Sequence, residues 1–261
     1  MDNAFLDSAM DEQQPQSFYF FDFDDNVMFL ETSILIQNTA TGEVKQMRTA
    51  DFAQVWPRLG QPGEWQEYAL FTDSYHYFRD LPDDKLEPDG LQHFLRDVQR
   101  AVTTRPPEEW QAPSWAFFVH ACSKQRPVSI ITARGHSAET IKTGIRYLKE
   151  QGWIEHEPNY LTVYPVSHEP VRLDLGDVNS EFAIPTLKKL AILKSVEAGL
   201  EKYGADLPHQ FGMSDDDPHN MQLIIEAMRD SKLRHPDKRF FVFNTHVQNS
   251  VKLEVLPIGM P

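Results

Sequence analysis

The chain has 261 residues, 41% of them hydrophobic, with a formal net charge of −14. That length accommodates one large domain, or a core domain with a substantial insertion, and no apolar stretch approaches the ~20 residues a membrane span needs. The negative charge opposes binding to a nucleic-acid duplex or an anionic membrane, while an anionic small molecule can still be held locally through a bound cation.

Residues 1–16 carry Asp2, Asp7, Asp11 and Glu12 and no basic residue. This is the pattern of neither a secretory signal nor a mitochondrial presequence, and it predicts a frayed tail. The aromatic run over 18–23 has no polar face and predicts a buried strand. Two short runs at 33–36 and 44–47 flank Thr39-Ala40-Thr41-Gly42, which predicts a hairpin. A short helix is expected over 51–58, with Asp51 as its cap. Residues 60–90 are irregular and rich in Pro and aromatics.

Helical spacing resumes over 91–102 through Leu91, Phe94, Leu95 and Val98, and 103–113 is a Pro-rich break. A helix over 115–124 contains Cys122, the only cysteine. A single thiol forms no intrachain disulfide; it reads as a small buried apolar side chain, and a reducing cytoplasm is the expected compartment. A buried strand at 128–131, a helix over 138–151 and a strand at 161–164 follow. A long helix is expected over 187–203, a short strand at 209–213, a helix over 221–232 and a strand at 240–243. Strands alternating with helices predict an α/β fold, a three-layer arrangement with a mostly parallel Rossmann-like sheet between helices.

In such sheets ligands bind at the carboxyl ends of the strands. The first strand is followed by Asp22-Phe23-Asp24-Asp25-Asn26, the 128–131 strand by Thr132-Ala133-Arg134, and the 209–213 strand by Ser214-Asp215-Asp216-Asp217. Lys188-Lys189 opens the preceding helix. A lone Asp-x-Asp or an Asp triplet is commonly a turn or a cap. Four such features in order, each at a strand end or helix start, point to phosphoryl-transfer chemistry. One carboxylate can act as nucleophile and a second as general acid and base. Clustered carboxylates call for a cation, and Mg²⁺ prefers oxygen ligands. A hydroxyl and an ammonium stabilise the transferring group.

These segments resemble the four motifs of the haloacid dehalogenase superfamily, most of whose members are Mg²⁺-dependent phosphohydrolases. Phe20-Phe21-Asp22-Phe23-Asp24-Asp25-Asn26-Val27 matches the first, Ile130-Ile131-Thr132 the second, Lys188 (or Lys189) the third, and Met213-Ser214-Asp215-Asp216 the fourth. The resemblance covers roughly residues 17–27, 115–165 and 186–245. Asn26 departs from it, since Thr is commonest there. So does the fourth motif, where Asn220 serves as the further ligand only if the register starts at Asp216.

By this resemblance Asp22 attacks phosphorus and Asp24 acts as general acid, then base, lending its backbone carbonyl to Mg²⁺. Thr132 and Lys188 hold the phosphoryl oxygens, with Ala133, Arg134 and Lys189 as further candidate substrate contacts. Asp22, Asp24, Asp216 and Asp215 surround the metal, Asp216 being favoured over its neighbour. The resemblance also implies one domain over 17–261, with its core at 17–27 and 115–261. A hairpin flap and small cap would be inserted after the first motif, over 28–114. The substrate would be a small phosphorylated molecule. Within 28–114, Trp56, Trp65, Tyr68, Tyr75, His76, Tyr77 and Phe78 either line a substrate pocket or form a compact cap core. The stretch 168–185 is a second candidate for substrate contact.

The histidines show no metal-ligand spacing; His136 and His219 lie just after motif segments, as candidate substrate contacts. Arg134 either binds a second anionic group or pairs with an aspartate. Two other readings stand beside the leading one. In the first, Asp22-x-Asp24 holds the metal of a nucleotide-sugar glycosyltransferase; in the second, the chain is a non-catalytic scaffold or sensor.

Overall fold

The structure is a computed structural model and describes residues 14–245 and 251–256. The tail expected over 1–16 falls largely outside these residues, as does His246. Gln16 departs from that expectation. It is buried, its N–H donates to His209 Nδ1 at 2.9 Å, and its carbonyl accepts from Gln210, so the ordered sheet edge already includes it.

Among the described residues, six strands form the main sheet, in the order β6-β5-β1-β7-β8-β9. These are β1 (Ser17–Phe21), β5 (Pro127–Thr132), β6 (Asn159–Pro165), β7 (Gln210–Asp215), β8 (Arg239–Asn244) and β9 (Val251–Glu254). All neighbours are parallel except β8 and β9. The α/β class and the mostly parallel sheet expected from the alternation of strands and helices are therefore present.

Strand β1 sits in the middle because both its faces are apolar. Phe18 and Phe20 point into a cluster with Leu187, Ile192, Val196, Ile224 and Met228, which come from α7 (Ile184–Tyr203) and α8 (Pro218–Arg234). Phe21 points the other way, into a cluster with Phe94, Phe118, Ile141 and Ile145. These belong to α2 (His93–Thr104), α4 (Trp115–Ser123) and α5 (Ala138–Glu150). Each fully buried Phe contributes roughly 2 kcal/mol of transfer free energy, so a strand with three belongs between two helical layers. Cys122 is buried in the second cluster, and burial pushes its thiol up to about 12.

Several boundaries differ from the sequence expectation. β1 ends at Phe21 rather than Phe23; the chain then makes one tight turn in which Val27 and Met28 both donate to the Phe23 carbonyl, with Asp25 at φ 57°. Helix α1 (Thr49–Val55) begins before Asp51, which sits in its first turn; Arg48 occupies the cap position. Pro185 and Pro218 each lie in a first helical turn, where a missing N–H costs nothing, so α7 and α8 start three residues earlier than apolar spacing suggests. α2 runs on to Thr104, α3 (Pro107–Trp110) forms within the expected break, and α6 (Glu169–Asp174) forms within 168–185.

The segment after the first turn holds a smaller antiparallel sheet of β2 (Ser33–Asn38), β3 (Val44–Arg48) and β4 (Tyr68–Ala69), in the order β3-β2-β4. The predicted hairpin is its first two strands. Ile34, Ile36, Phe52 and Tyr68 form its core, with Trp65 and Phe78 packed against them. Tyr68, Trp65 and Phe78 thus build this core, whereas Trp56 and Tyr75 are exposed. α2 and α3, although next in sequence, pack into the main core through Phe94, Val98 and Trp110. No helix of the described residues is long and apolar enough to cross a membrane.

Candidate active site at the carboxyl edge of the sheet

Side-chain parity along a strand has a period of two. Phe18 and Phe20 face α7, and Asp22, two residues on, continues that side past the strand end. On β7 the same parity runs Phe211, Met213, Asp215. Both carboxylates therefore turn toward α7, where Lys188 shares a buried stripe with Ala191, Ile192 and Ser195. The Lys188 Nζ lies 3.0 Å from Asp22 Oδ2 and 2.7 Å from Asp215 Oδ2, with all three side chains buried. Lys189, the adjacent residue, points elsewhere; it pairs with Glu226 and Asp230 of α8 and is not part of this cluster. Of the two lysines the sequence offers for the third motif, Lys188 is the one brought together with Asp22 and Asp215.

Asp216 completes the group: carboxylate oxygens of Asp22, Asp215 and Asp216 all lie within 4.8 Å of one another. Asp215 is the most firmly held. Its Oδ1 accepts from the Asp217 N–H at 2.9 Å, and both its oxygens accept from Asn220 Nδ2. Asn220 thus braces Asp215, five residues before it. Asp217 caps α8 through the His219 N–H.

The electrostatics are those of an anion cluster short of positive charge. Burial raises the Asp22 carboxyl well above its usual range; Lys188 opposes this, and Asp215, Asp216 and Asp24 add to it. Asp216 is pushed up to about 7, first by burial and then by Asp215 and Asp25. Burial works against the Lys188 ammonium, but attraction to Asp215 and Asp22 outweighs it and raises its pKa. Asp22 Oδ1 is buried and meets no hydrogen-bond donor among the described residues. Three carboxylates with one ammonium, an orphaned buried oxygen and an all-oxygen donor set fit a hard divalent cation such as Mg²⁺.

A second group lies beside the first. The Asp24 carboxylate accepts from Arg134 Nε at 2.8 Å and from Arg134 Nη2 at 2.6 Å, with the Thr132 hydroxyl 3.4 Å away. Thr132 and Arg134 are fully buried, and Ala133 between them is exposed at the edge. Of the two roles open to Arg134, the pairing with an aspartate is the one the structure forms. His136 is buried with neither ring nitrogen bonded among the described residues, and burial first, then Arg134, lowers it to about 2. His219 faces solvent and bonds Asp217.

Sequence reasoning missed the residue that ties these strand ends together. Asn26 is fully buried. Its Nδ2 contacts the carbonyls of Asp22 and Ser214 and the Ser214 hydroxyl, and its Oδ1 accepts from Ser114 and Thr245. It thus links the ends of β1, β7 and β8 with the start of α4. The available signal was an amide at a position flanked by apolar and acidic residues, which a buried network explains better than a surface turn. Thr32 and Asp97 were also missed; no motif marks them.

Comparison with protein-family models, with curated proteins and with solved structures finds no match to this chain.

Proposed function

We propose that the chain is a Mg²⁺-dependent phosphohydrolase of the haloacid dehalogenase type, cleaving a small phosphomonoester through an aspartyl-phosphate on Asp22. The single observation that carries this reading is the placement of Lys188 between Asp22 and Asp215, with Asp216 beside them and Asp22 Oδ1 left without a donor. In this reading the hairpin β2–β3 is the flap, and the small sheet with its core is the cap that selects the substrate.

Asp22, Asp215 and Asp216 would hold the cation, and by the resemblance the Asp24 carbonyl would be a further ligand. When bound, the cation neutralises the carboxylates and the substrate phosphate, so that an anion can approach an anion. The Asp22 carboxylate attacks phosphorus, the bond from phosphorus to the leaving oxygen breaks, and Asp24, which enters this step protonated, gives that oxygen its proton. A water then attacks the same phosphorus. Asp24 takes the water's proton, the bond to Asp22 breaks, and inorganic phosphate leaves with the Asp22 carboxylate restored. Lys188 keeps Asp22 oriented and adds positive charge where the transition state is most negative.

The test is a panel of phosphorylated metabolites and an aryl phosphate, assayed with the purified protein and Mg²⁺. Phosphate release by the wild type and its loss in Asp22→Asn are expected. Undiminished release by Asp22→Asn would remove Asp22 as nucleophile. Hydrolysis of a sugar nucleotide without release from any monoester would favour the glycosyltransferase reading.

A further inference from the structure

Arg134 is a charged side chain with no exposed surface, placed directly against the proposed acid–base residue. Burying an unpaired guanidinium is strongly unfavourable, so its partners indicate what it is for. Two of its nitrogens grip Asp24 from the side, one on each carboxylate oxygen. Nη2 also donates to Thr32 Oγ1 at 2.6 Å, and Thr32 in turn donates to Asp97 Oδ2 at 2.5 Å. The guanidinium carbon lies over two aromatic rings, 4.9 Å from the Phe78 centroid and 4.8 Å from the Phe94 centroid.

Those contacts come from three parts of the chain. Arg134 follows β5, Phe94 and Asp97 lie on α2, and Phe78 and Thr32 belong to the stretch between the first turn and α2. The Phe78 carbonyl also accepts the Gly135 N–H at 2.7 Å, which fastens that stretch to the loop carrying Arg134. Nε and Nη2 are taken up by Asp24 and Thr32; Nη1 is buried and meets no hydrogen-bond partner among the described residues, and no part of the guanidinium reaches the surface.

We propose that Arg134 is a positioning residue: it fixes the Asp24 carboxylate in the orientation from which protons are given and taken, and the Phe78 and Phe94 rings with the Thr32–Asp97 pair fix Arg134. This rests on the phosphohydrolase reading. It replaces the expectation that Arg134 binds substrate, and it couples the proposed cap to the chemistry, because a shift of Phe78 loosens the group that aims Asp24.

The experiment compares wild type, Arg134→Gln, Arg134→Lys and Thr32→Val on an alkyl phosphomonoester and on an aryl phosphate whose leaving group needs no proton. Melting temperatures are measured alongside. For Arg134→Gln, kcat on the alkyl ester falls about 100-fold, the scale of general acid–base catalysis, with KM little changed. On the aryl ester the first turnover, seen as a burst of aryl alcohol, survives while steady turnover falls, because only the second step then needs Asp24. Arg134→Lys keeps the charge but not the fork and recovers little. Thr32→Val leaves the Arg134–Asp24 pair standing and shows the same pattern in smaller measure, which covers the case in which Arg134→Gln does not fold.

An active wild type with Arg134→Gln equal to it, or with KM raised and kcat preserved, overturns the inference while leaving the phosphohydrolase reading intact. Full recovery in Arg134→Lys overturns it as well. A wild type inert toward every monoester removes the reading of function, and this inference with it.

Discussion

Lys188 Nζ lies 3.0 Å from Asp22 Oδ2, across the seam between helix α7 and the end of strand β1. The same nitrogen holds Asp215, so one buried cation is shared by two buried carboxylates. Removing it leaves both uncompensated. Lys188→Met is expected to reduce phosphate release by roughly 100-fold or more, as loss of a preorganised charge in a transition-state site does. It should also cost about 3 kcal/mol of stability in metal-free buffer, because breaking a buried pair costs more than replacing it whole. Denaturant titrations with and without Mg²⁺ check the second part: a bound cation should return some of the loss. Lys189→Met, on the outward face, should leave phosphate release unchanged.

Asn26 joins four segments through both ends of its amide. Asn26→Ala strands the Ser114 and Thr245 hydroxyls and the Asp22 carbonyl in a buried site, while the Ser214 carbonyl keeps the Asp22 N–H. At about 1–3 kcal/mol for each group left unpaired, and with some relaxation, the expected loss is roughly 3 kcal/mol. Urea denaturation measures it, and a loss under about 0.5 kcal/mol, the range of ordinary surface substitutions, would contradict the network's role.

Gly144 sits inside α5, where Ala is favoured by about 1 kcal/mol on helix propensity alone. A Cβ built there meets Phe94 Cε1 at 2.4 Å, and the Phe94 ring lies under the Arg134 guanidinium carbon. Gly144→Ala should therefore destabilise, by about 1–3 kcal/mol as overpacking does, against the direction of propensity. A rise in melting temperature would show that Phe94 yields at no cost.

His136 gives a pH dependence with a definite sign. Its pKa is 6.5 in the unfolded chain and about 2 in the folded one, depressed by burial. Below 6.5 the unfolded state binds a proton that the native state refuses, so the stability present above pH 6.5 is lost as pH falls toward 2. At about 1.4 kcal/mol per unit, lowering the pH to 4.5 costs about 3 kcal/mol. Asp25, raised to about 6, and Asp216, raised to about 7, work in the opposite sense, losing stability as pH rises through those values. The comparison that isolates His136 is His136→Leu. Relative to wild type, this variant should gain about 3 kcal/mol between pH 8 and pH 4.5 in parallel denaturant titrations. A constant difference would mean the imidazole charges in the folded state.

Strands β1, β5 and β8 were legible because each carries an apolar run with aromatic or β-branched residues, which leaves a single reading. β9 was not: Val251-Lys252-Leu253-Glu254 is exposed throughout and is a strand only because β8 offers it an edge. α6 is six residues long and opens with a Pro in its first turn, too short for periodicity to register. In the site, adjacent residues were the difficulty. Lys188 and Lys189 look alike by composition, but consecutive helical positions point about 100° apart. Only Lys188 continues the stripe through Ala191, Ile192 and Ser195, so the deciding pattern was present. Strand parity likewise singles out Asp215 as the partner of Lys188, two positions beyond Met213. The surroundings of Arg134 could not be read in advance, since they bring Phe94 from α2 and Phe78 and Thr32 from the stretch before it to the loop after β5.

The central claim is that Asp22 accepts the phosphoryl group. Acid-quenched mass spectrometry tests it most directly, using Asp24→Asn with an activated aryl phosphate and Mg²⁺ so that the second step is slowed and the adduct accumulates. The account predicts one phosphoryl adduct on the peptide containing Asp22, present with Mg²⁺ and absent after chelation. Turnover by the wild type with no adduct on Asp22 in the slowed variant, or an adduct on another side chain, would contradict it.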